Sequence, residues 1–198
     1  KGAAPVGSRL PKLEAMSRTE ASPIVRLALA SVAQRLPLGD RWGIVAGLLE
    51  HSEDASDHNL PLMDWFAAEP LVESNPGRAL ALADQARIPQ VQTFLVRRIA
   101  SLGTNEAIAS LVGMLKKTES APVRLAILEG INESLKGRRQ VAMPDAWPEV
   151  AKTLANQSDA RIVAEAKALA LTFGDPAALA SMREVLANRG ADLGLRRG

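Results

Sequence analysis

The sequence predicts an all-α protein, a right-handed α-solenoid built from stacked antiparallel helix pairs. Its 198 residues include 34 alanines and 27 leucines but only 3% aromatic residues, and Ala and Leu are the strongest helix formers. Apolar residues recur at helical spacing, for example at Val25, Leu29, Val32 and Leu36, which places one apolar stripe on each helix. A third observation, an internal repeat, predicts that these striped helices stack on one another.

The repeat is visible when the sequence is shifted by 66 residues, which brings Pro23 onto Pro89. The register holds without a gap over 23–54 and aligns Val25 with Val91, Leu29 with Leu95, Leu36 with Leu102, Gly47 with Gly113, Leu49 with Leu115 and Glu53 with Glu119. Sixty-six is twice 33, and about 33 residues is a usual length for a two-helix repeat. Because one pair cannot bury its stripe alone, successive pairs must stack. We therefore predict a single domain over 1–198, a fragment of a larger multidomain protein, with units at about 23–54, 57–86, 89–119, 121–157 and 159–190.

Prolines and glycines mark the predicted helix ends. An N-cap residue followed by proline, which loses nothing by lacking an N–H at the first helical position, occurs at Ser22-Pro23, Asn75-Pro76 and Asp175-Pro176. Glycines able to adopt the left-handed conformation at a helix end follow the stripes at Gly39, Gly103 and Gly174. Two further glycines, Gly47 and Gly113, lie within predicted helices at equivalent repeat positions, which predicts close approach of a neighbouring helix at both.

Several phrases resemble the HEAT repeat, an armadillo-type helix pair whose second helix opens with proline and then Val-Arg. The phrases are Pro23-Ile-Val-Arg26, Pro122-Val-Arg124 and, with alanine in place of proline, Asp159-Ala-Arg-Ile-Val163. The unit at 89 keeps the proline but has Gln92 where the phrase has arginine. Their recurrence in register indicates HEAT-like units over most of 23–190.

Residues 57–70 read Asp-His-Asn-Leu-Pro-Leu-Met-Asp-Trp-Phe-Ala-Ala-Glu-Pro. Together with 78–83 and 88–89, this segment resembles the helical-repeat region of planctomycete and verrucomicrobial haem-binding, cytochrome c-containing, membrane-bound dehydrogenase-like proteins. The resemblance implies a parent protein with a sugar-dehydrogenase-like propeller before these helices and a cytochrome c module after them, in the periplasm or cell envelope. This chain has no cysteine and therefore lacks the haem-attachment motif, so the resemblance implies neither haem nor dehydrogenase chemistry in this region.

The residue inventory favours binding over catalysis. The chain has no Cys or Tyr, no glycine-rich phosphate loop and no Gly-x-Ser-x-Gly motif, and we predict no catalytic residue and no cofactor. His51 and His58, with nearby carboxylates, offer donors suited to zinc or manganese, but they are divided between a helix end and a loop, so no metal site is predicted. The sequence also contains no apolar stretch long enough to span a membrane.

The predicted function is that of a non-catalytic scaffold or protein-interaction module within a larger extracytoplasmic protein. Its partner would be a neighbouring domain of the parent chain or another protein. The candidate interaction surface comprises Asp57, His58, Trp65, Arg138 and Arg139. Of these, Asp57 is also expected to cap the next helix, and core packing is favoured for Trp65 over anchoring a partner.

The alternative function is that of a HEAT-like nucleic-acid-binding protein or DNA glycosylase. Basic doublets such as Arg97-Arg98, Lys116-Lys117, Arg138-Arg139 and Arg196-Arg197 suggest it, because such residues can track a phosphate backbone. However, 24 basic residues are nearly balanced by 22 acidic ones, so the overall charge does not favour a nucleic-acid partner.

Overall fold

The structure, a computed structural model, describes residues 9–138 and 141–187 of the chain. These residues form eleven α-helices with a short 3-10 helix at Ser52–Ser56 and contain no β-strand, which confirms the all-α class. Contacts divide the chain into two compact units, Lys1–Leu102 and Gly103–Gly198. The single domain over 1–198 stays a prediction.

Over its described residues, 9–102, the first unit contains six α-helices arranged in layers. Their bounds are α1 (Leu10–Thr19), α2 (Pro23–Ala33), α3 (Leu38–Leu48), α4 (Leu60–Ser74), α5 (Pro76–Gln85) and α6 (Pro89–Ser101). Helices α2, α4 and α6 lie side by side, α3 packs against α1, α2 and α4, and α5 packs against α4 and α6. The core between these helices is apolar and includes Leu29, Ile44, Leu71 and Leu95.

The second unit contains the remaining helices. They are α7 (Asn105–Lys117), α8 (Ala121–Leu135), α9 (Trp147–Ala155), α10 (Ala160–Thr172) and α11 (Pro176–Ala187). Helix α8 packs beside α10 and α7 beside α9, while α7 also contacts α8, and α10 contacts α9 and α11. Trp147 is fully buried and meets the ring of Phe173 edge-on, with 5.1 Å between centroids. Trp147, the first residue of α9, is therefore part of the core.

Two of the three predicted N-caps are formed by side chains. The Oδ1 atom of Asn75 accepts a backbone N–H three residues later at 2.9 Å, and that of Asp175 accepts one two residues later at 2.8 Å. Such bonds satisfy donors that the first helical turn leaves unpaired. The Ser22 side chain forms no cap bond to any described residue, although α2 does begin at Pro23.

The glycine predictions for helix ends hold at two positions. Gly103 and Gly174 have φ values of 64° and 68°, which glycine adopts without the steric cost of a Cβ atom. The prediction for Gly39 is wrong, because α3 begins at Leu38 and takes this glycine into its first turn.

Helix α4 continues through an internal proline. Pro61 lies in the first turn, where a missing N–H costs nothing, but Pro70 lies inside the helix, which ends only at Ser74. Because Pro70 has no N–H, the carbonyl oxygen of Phe66 lacks its usual donor four residues later. One turn of α4 therefore keeps a backbone acceptor without its helical partner.

Close helix approach is confirmed at Gly47 and absent at Gly113. A Cβ atom at Gly47 would stand 2.1 Å from Oγ of Ser17 on α1. The same contact extends one turn back to Gly43, where a Cβ atom would stand 2.2 Å from a carboxylate oxygen of Glu14. The prediction is wrong at Gly113, where no described atom lies within 4 Å of such a Cβ. Equal positions in the repeat therefore do not have equal neighbours.

Alanine at these two glycines should change stability in opposite directions. Gly47→Ala should lower the free energy of unfolding by about 1–3 kcal/mol, because its methyl group overlaps Ser17 and α1 has to shift. Gly113→Ala should raise it by about 0.5–1 kcal/mol, because a better helix former enters open space. Urea denaturation of each variant and of the unsubstituted protein measures both changes in the free energy of unfolding, and changes of equal sign would contradict this account.

Candidate interaction surface

Asp57 fixes the start of α4. Its Oδ1 atom accepts the backbone N–H groups of Asn59 and Leu60 at 2.8 and 2.9 Å, which confirms the predicted capping role. The bond from Leu60, followed by that from Asn59, lowers the pKa of the Asp57 carboxyl group below its ordinary value, so it stays ionised at neutral pH. His58 is exposed beside it. The N-terminal end of α4 thus displays a carboxylate next to an imidazole.

An apolar patch on α4, formed by Leu62, Trp65 and Phe66, reaches the surface close to that end. Leu62 and Phe66 lie one helical turn apart and expose 40% and 53% of their surfaces. Trp65 is half-buried, and its ring packs at 55° on Phe94 of α6 with 5.4 Å between centroids. Trp65 therefore contributes both to the packing of α4 on α6 and to the surface.

Sequence reasoning selected Trp65 from this patch and missed its two more exposed members. Leu62 and Phe66 are separated by four residues, so they share a helix face, and this face differs from the buried one that carries Ala67 and Leu71. That difference in face was the available signal.

Arg138 belongs to the second unit and follows α8. Its Nη1 atom donates to the carbonyl oxygen of Gly103 at 2.6 Å, and the side chain is exposed. It borders an open cleft of about 480 Å³ beside the ends of α8 and α10. Within the cleft, Nδ2 of Asn132 donates to Oε2 of Glu165 at 2.7 Å. Arg139, the other basic candidate, lies outside the described residues.

The first unit also contains a buried ion pair. Arg26 and Asp54 are 2% and 3% exposed. The Nε atom of Arg26 donates to Oδ2 of Asp54 at 2.7 Å, and Nη2 donates to Oδ1. Its Nη1 atom donates to the carbonyl oxygens of Glu20 and Ala21 at 2.7 and 2.9 Å. Direct hydrogen bonding to Asp54 raises the pKa of Arg26. Through the bidentate pair and the two backbone contacts, Arg26 joins α2, the α1–α2 connection and the 3-10 helix.

Asp64 lies next to this pair without a partner of its own. It is fully buried, and neither carboxylate oxygen has a hydrogen-bond partner among the described residues. Burial, and then the negative charge of Asp54, raise the pKa of Asp64 to about 7. The positive charge of Arg26 lowers this pKa, but its influence is smaller than those of burial and of Asp54.

Sequence reasoning considered Asp54 and Asp64 only as carboxylates near the two histidines. The available signal for burial was spacing, since Asp64 follows Leu60 by four residues and precedes Ala67 by three, on the buried stripe of α4.

The two histidines do not come together as metal ligands. His51 contacts Oε1 of Glu53 through Nδ1 and the carbonyl oxygen of Ser17 through Nε2, both at 2.8 Å, whereas His58 is exposed at the start of α4. In the described parts of the chain, no group of three or more His, Cys, Asp or Glu side chains could hold a metal ion.

Some basic residues of the doublets are paired with carboxylates. Arg98 contacts Glu69 at 2.7 Å and also Glu73, and these hydrogen bonds, the one to Glu69 first, raise its pKa. Lys116 contacts Glu149 at 2.8 Å. Such pairing reduces the positive charge that each would offer to a phosphate. The doublet Arg196-Arg197 lies outside the described residues.

Comparisons with models of known protein families, with curated proteins and with solved structures find no match. Within the described residues, no helix has both the length and the apolar character needed to cross a membrane. The function therefore has to be inferred from the geometry of the chain itself.

Proposed function

We propose that this chain is a non-catalytic scaffold that binds a protein partner through the apolar patch on α4. The observation that carries the proposal is the exposure of Leu62 and Phe66 beside the half-buried Trp65. Binding of a partner that covers large exposed apolar side chains is favourable, because it removes apolar surface from water. Aromatic residues are also frequent anchors of protein interfaces. Asp57 and His58 would supply polar contacts at one edge of the patch.

The spacing of side-chain contacts supports a HEAT-like right-handed solenoid as the scaffold. Three contacts in the second unit join residues 33 positions apart: Lys116 Nζ to Glu149 Oε2, Arg124 Nη1 to Gln157 Oε1, and Asn132 Nδ2 to Glu165 Oε2, at 2.8, 2.9 and 2.7 Å. In the first unit, Gln34 contacts Met63 and Arg98 contacts Glu69 across 29 positions. A recurring step of this size is typical of stacked two-helix repeats.

The wider setting of the scaffold is part of the same proposal. The resemblance of 57–70 supports a parent protein of the haem-binding, membrane-bound dehydrogenase-like group, located in the periplasm or cell envelope. In such a parent, this region would carry no cofactor and would position neighbouring domains or dock another protein.

A single substitution tests the role of the patch. The unsubstituted chain and its Phe66→Ser variant are each immobilised and exposed to an extract of the source cells. A protein recovered in this way is purified, and its affinity for both is measured. We expect Phe66→Ser to weaken that affinity at least about tenfold, because truncation of a central anchor residue costs about 2 kcal/mol or more. Met182→Ser is the matched control, since Met182 is an exposed apolar residue of the second unit and should leave the affinity unchanged.

Two outcomes would contradict the proposal. One is a partner that binds the unsubstituted chain, Phe66→Ser and Met182→Ser equally well. The other is binding of the unsubstituted chain to duplex DNA with an affinity that falls steeply as the salt concentration increases, which would favour the nucleic-acid function instead.

A further inference from the structure

Helix α1 packs on α3 and is also joined to the rest of the first unit by polar contacts. The one fully buried residue in its described span is Ser17, and its apolar side chains at Leu10, Leu13 and Met16 are only half-buried. Its closest packing is against Gly43 and Gly47 of α3. Because no apolar side chain of α1 is fully buried, individual hydrogen bonds contribute to its attachment.

His51 forms one of these attachments by bridging two acceptors. Its Nε2 atom lies 2.8 Å from the carbonyl oxygen of Ser17, and its Nδ1 atom lies 2.8 Å from a carboxylate oxygen of Glu53. Neither oxygen can donate a proton, since one is a carbonyl and the other belongs to an ionised carboxylate. Only the doubly protonated imidazolium ring has an N–H for each of them.

The position of Ser17 makes its carbonyl oxygen available to the ring. Ser17 lies in the last turn of α1, where carbonyl oxygens lack helical donors and the helix dipole favours a positive charge. The hydroxyl group of Ser17 is already engaged, because it donates to the carbonyl oxygen of Glu14 at 2.8 Å. Among the contacts of the described residues, the His51 ring is the partner of the Ser17 carbonyl oxygen.

The charges around His51 come from every element packed there. Glu53 stays ionised because its own backbone N–H, and then His51, lower its pKa. Glu53 is also 3.6 Å from Nη2 of Arg26, and Arg18 is 3.6 Å from Glu50. Among the described residues, the charged groups that the elements around this site carry are Glu14 and Arg18 on α1, Arg26 on α2, Glu50 after α3, Glu53 and Asp54 in the 3-10 helix, and Asp64 on α4.

We propose that His51 is a proton-dependent latch that fastens α1 to the rest of the first unit. When the imidazolium ring loses a proton, the remaining proton stays on Nδ1, because the ionised carboxylate of Glu53 is a stronger acceptor than a carbonyl oxygen. Nε2 then presents a lone pair to the carbonyl oxygen of Ser17, and this contact changes from attraction to repulsion. Helix α1 then separates more readily from α3 and uncovers the face that carries Gly43 and Gly47. This inference is independent of the proposed function.

Amide hydrogen exchange of the full chain tests the latch. Protection of residues 10–19 is measured at about pH 5.5 and about pH 8.5, on either side of the range in which histidine ordinarily changes charge. After correction for intrinsic exchange, we expect α1 to lose roughly tenfold in protection at the higher pH, the effect of one charged hydrogen bond. Protection of α1 is expressed relative to α6, which does not carry Asp64, so that the titration of Asp64, which acts on the core, does not imitate the result.

The second histidine provides a matched control. His51→Gln should remove the pH dependence of α1 protection, whereas His58→Gln should retain it, because His58 is exposed at the start of α4 and takes part in neither of the two contacts of His51. Equal relative protection of α1 at both pH values, or equal behaviour of the two variants, would overturn the proposal.

Discussion

Arg26→Met should lower the free energy of unfolding of the first unit by about 3–5 kcal/mol, the usual cost of removing one partner of a buried ion pair. The variant leaves the Asp54 carboxylate, which is 3% exposed, without its two charged hydrogen bonds. It also removes the donors to the carbonyl oxygens of Glu20 and Ala21. Chemical denaturation followed by circular dichroism and tryptophan fluorescence measures the loss.

Two further variants separate the ion pair from simple loss of a long side chain. Arg124, from the corresponding HEAT-like phrase, bonds the neutral side chain of Gln157 at 2.9 Å, so Arg124→Met should cost only about 1 kcal/mol. The double variant Arg26→Met with Asp54→Leu should recover much of the stability, because it leaves no unpaired charge at Asp54. Comparable losses at Arg26 and Arg124, or no recovery in the double variant, would refute the explanation.

Asp64→Asn should stabilise the protein increasingly as the pH rises. The pKa of Asp64 is about 7 in the folded state against an ordinary value of 3.8, so between these values the unfolded chain releases a proton that the folded chain retains. The stability of the unsubstituted protein therefore falls across this window as the pH rises, and the loss is complete above about pH 7. Asparagine does not titrate and lacks this loss.

The expected effect is a change in the difference between the two proteins. At about 1.36 kcal/mol per pKa unit, the advantage of Asp64→Asn should grow by about 2–3 kcal/mol between about pH 5 and about pH 8.5. Comparing two pH values cancels the cost of burying the new amide group. Asp57→Asn is the control: the lowered pKa of Asp57 places its titration below this range, so its effect should be constant. A constant difference for Asp64→Asn as well would show that Asp64 is ionised throughout.

The sequence predicted the helices well because local chemistry determines where they begin. Helices start at Pro23, Pro76, Pro89 and Pro176, where the fixed φ of proline and its missing N–H suit the first turn. Trp147 heads an apolar stripe and is fully buried. These features depend on a few neighbouring residues, which a single sequence contains.

Contacts between distant segments were less predictable. Gly47 and Gly113 occupy equivalent sequence positions, but only Gly47 has a helix against it. The burial of Asp64 depends on which elements cover that face of α4, and from the sequence Asp64 was interpreted only as a carboxylate near the histidines. His51 was considered as a metal ligand, and its contact with Ser17 joins residues 34 positions apart, a distance at which local patterns contain no information.

The three side-chain contacts of equal spacing in the second unit have a practical consequence for altering the chain. All of them connect a residue before 136 with one after 146, so the segment between α8 and α9 lies inside every one of these loops. Lengthening that segment changes the number of residues enclosed by each loop but leaves both ends of each contact on their helices, and closure entropy rises only slowly with length. An affinity handle or a foreign peptide grafted there would therefore be tolerated far better than one inserted within α8 or α10.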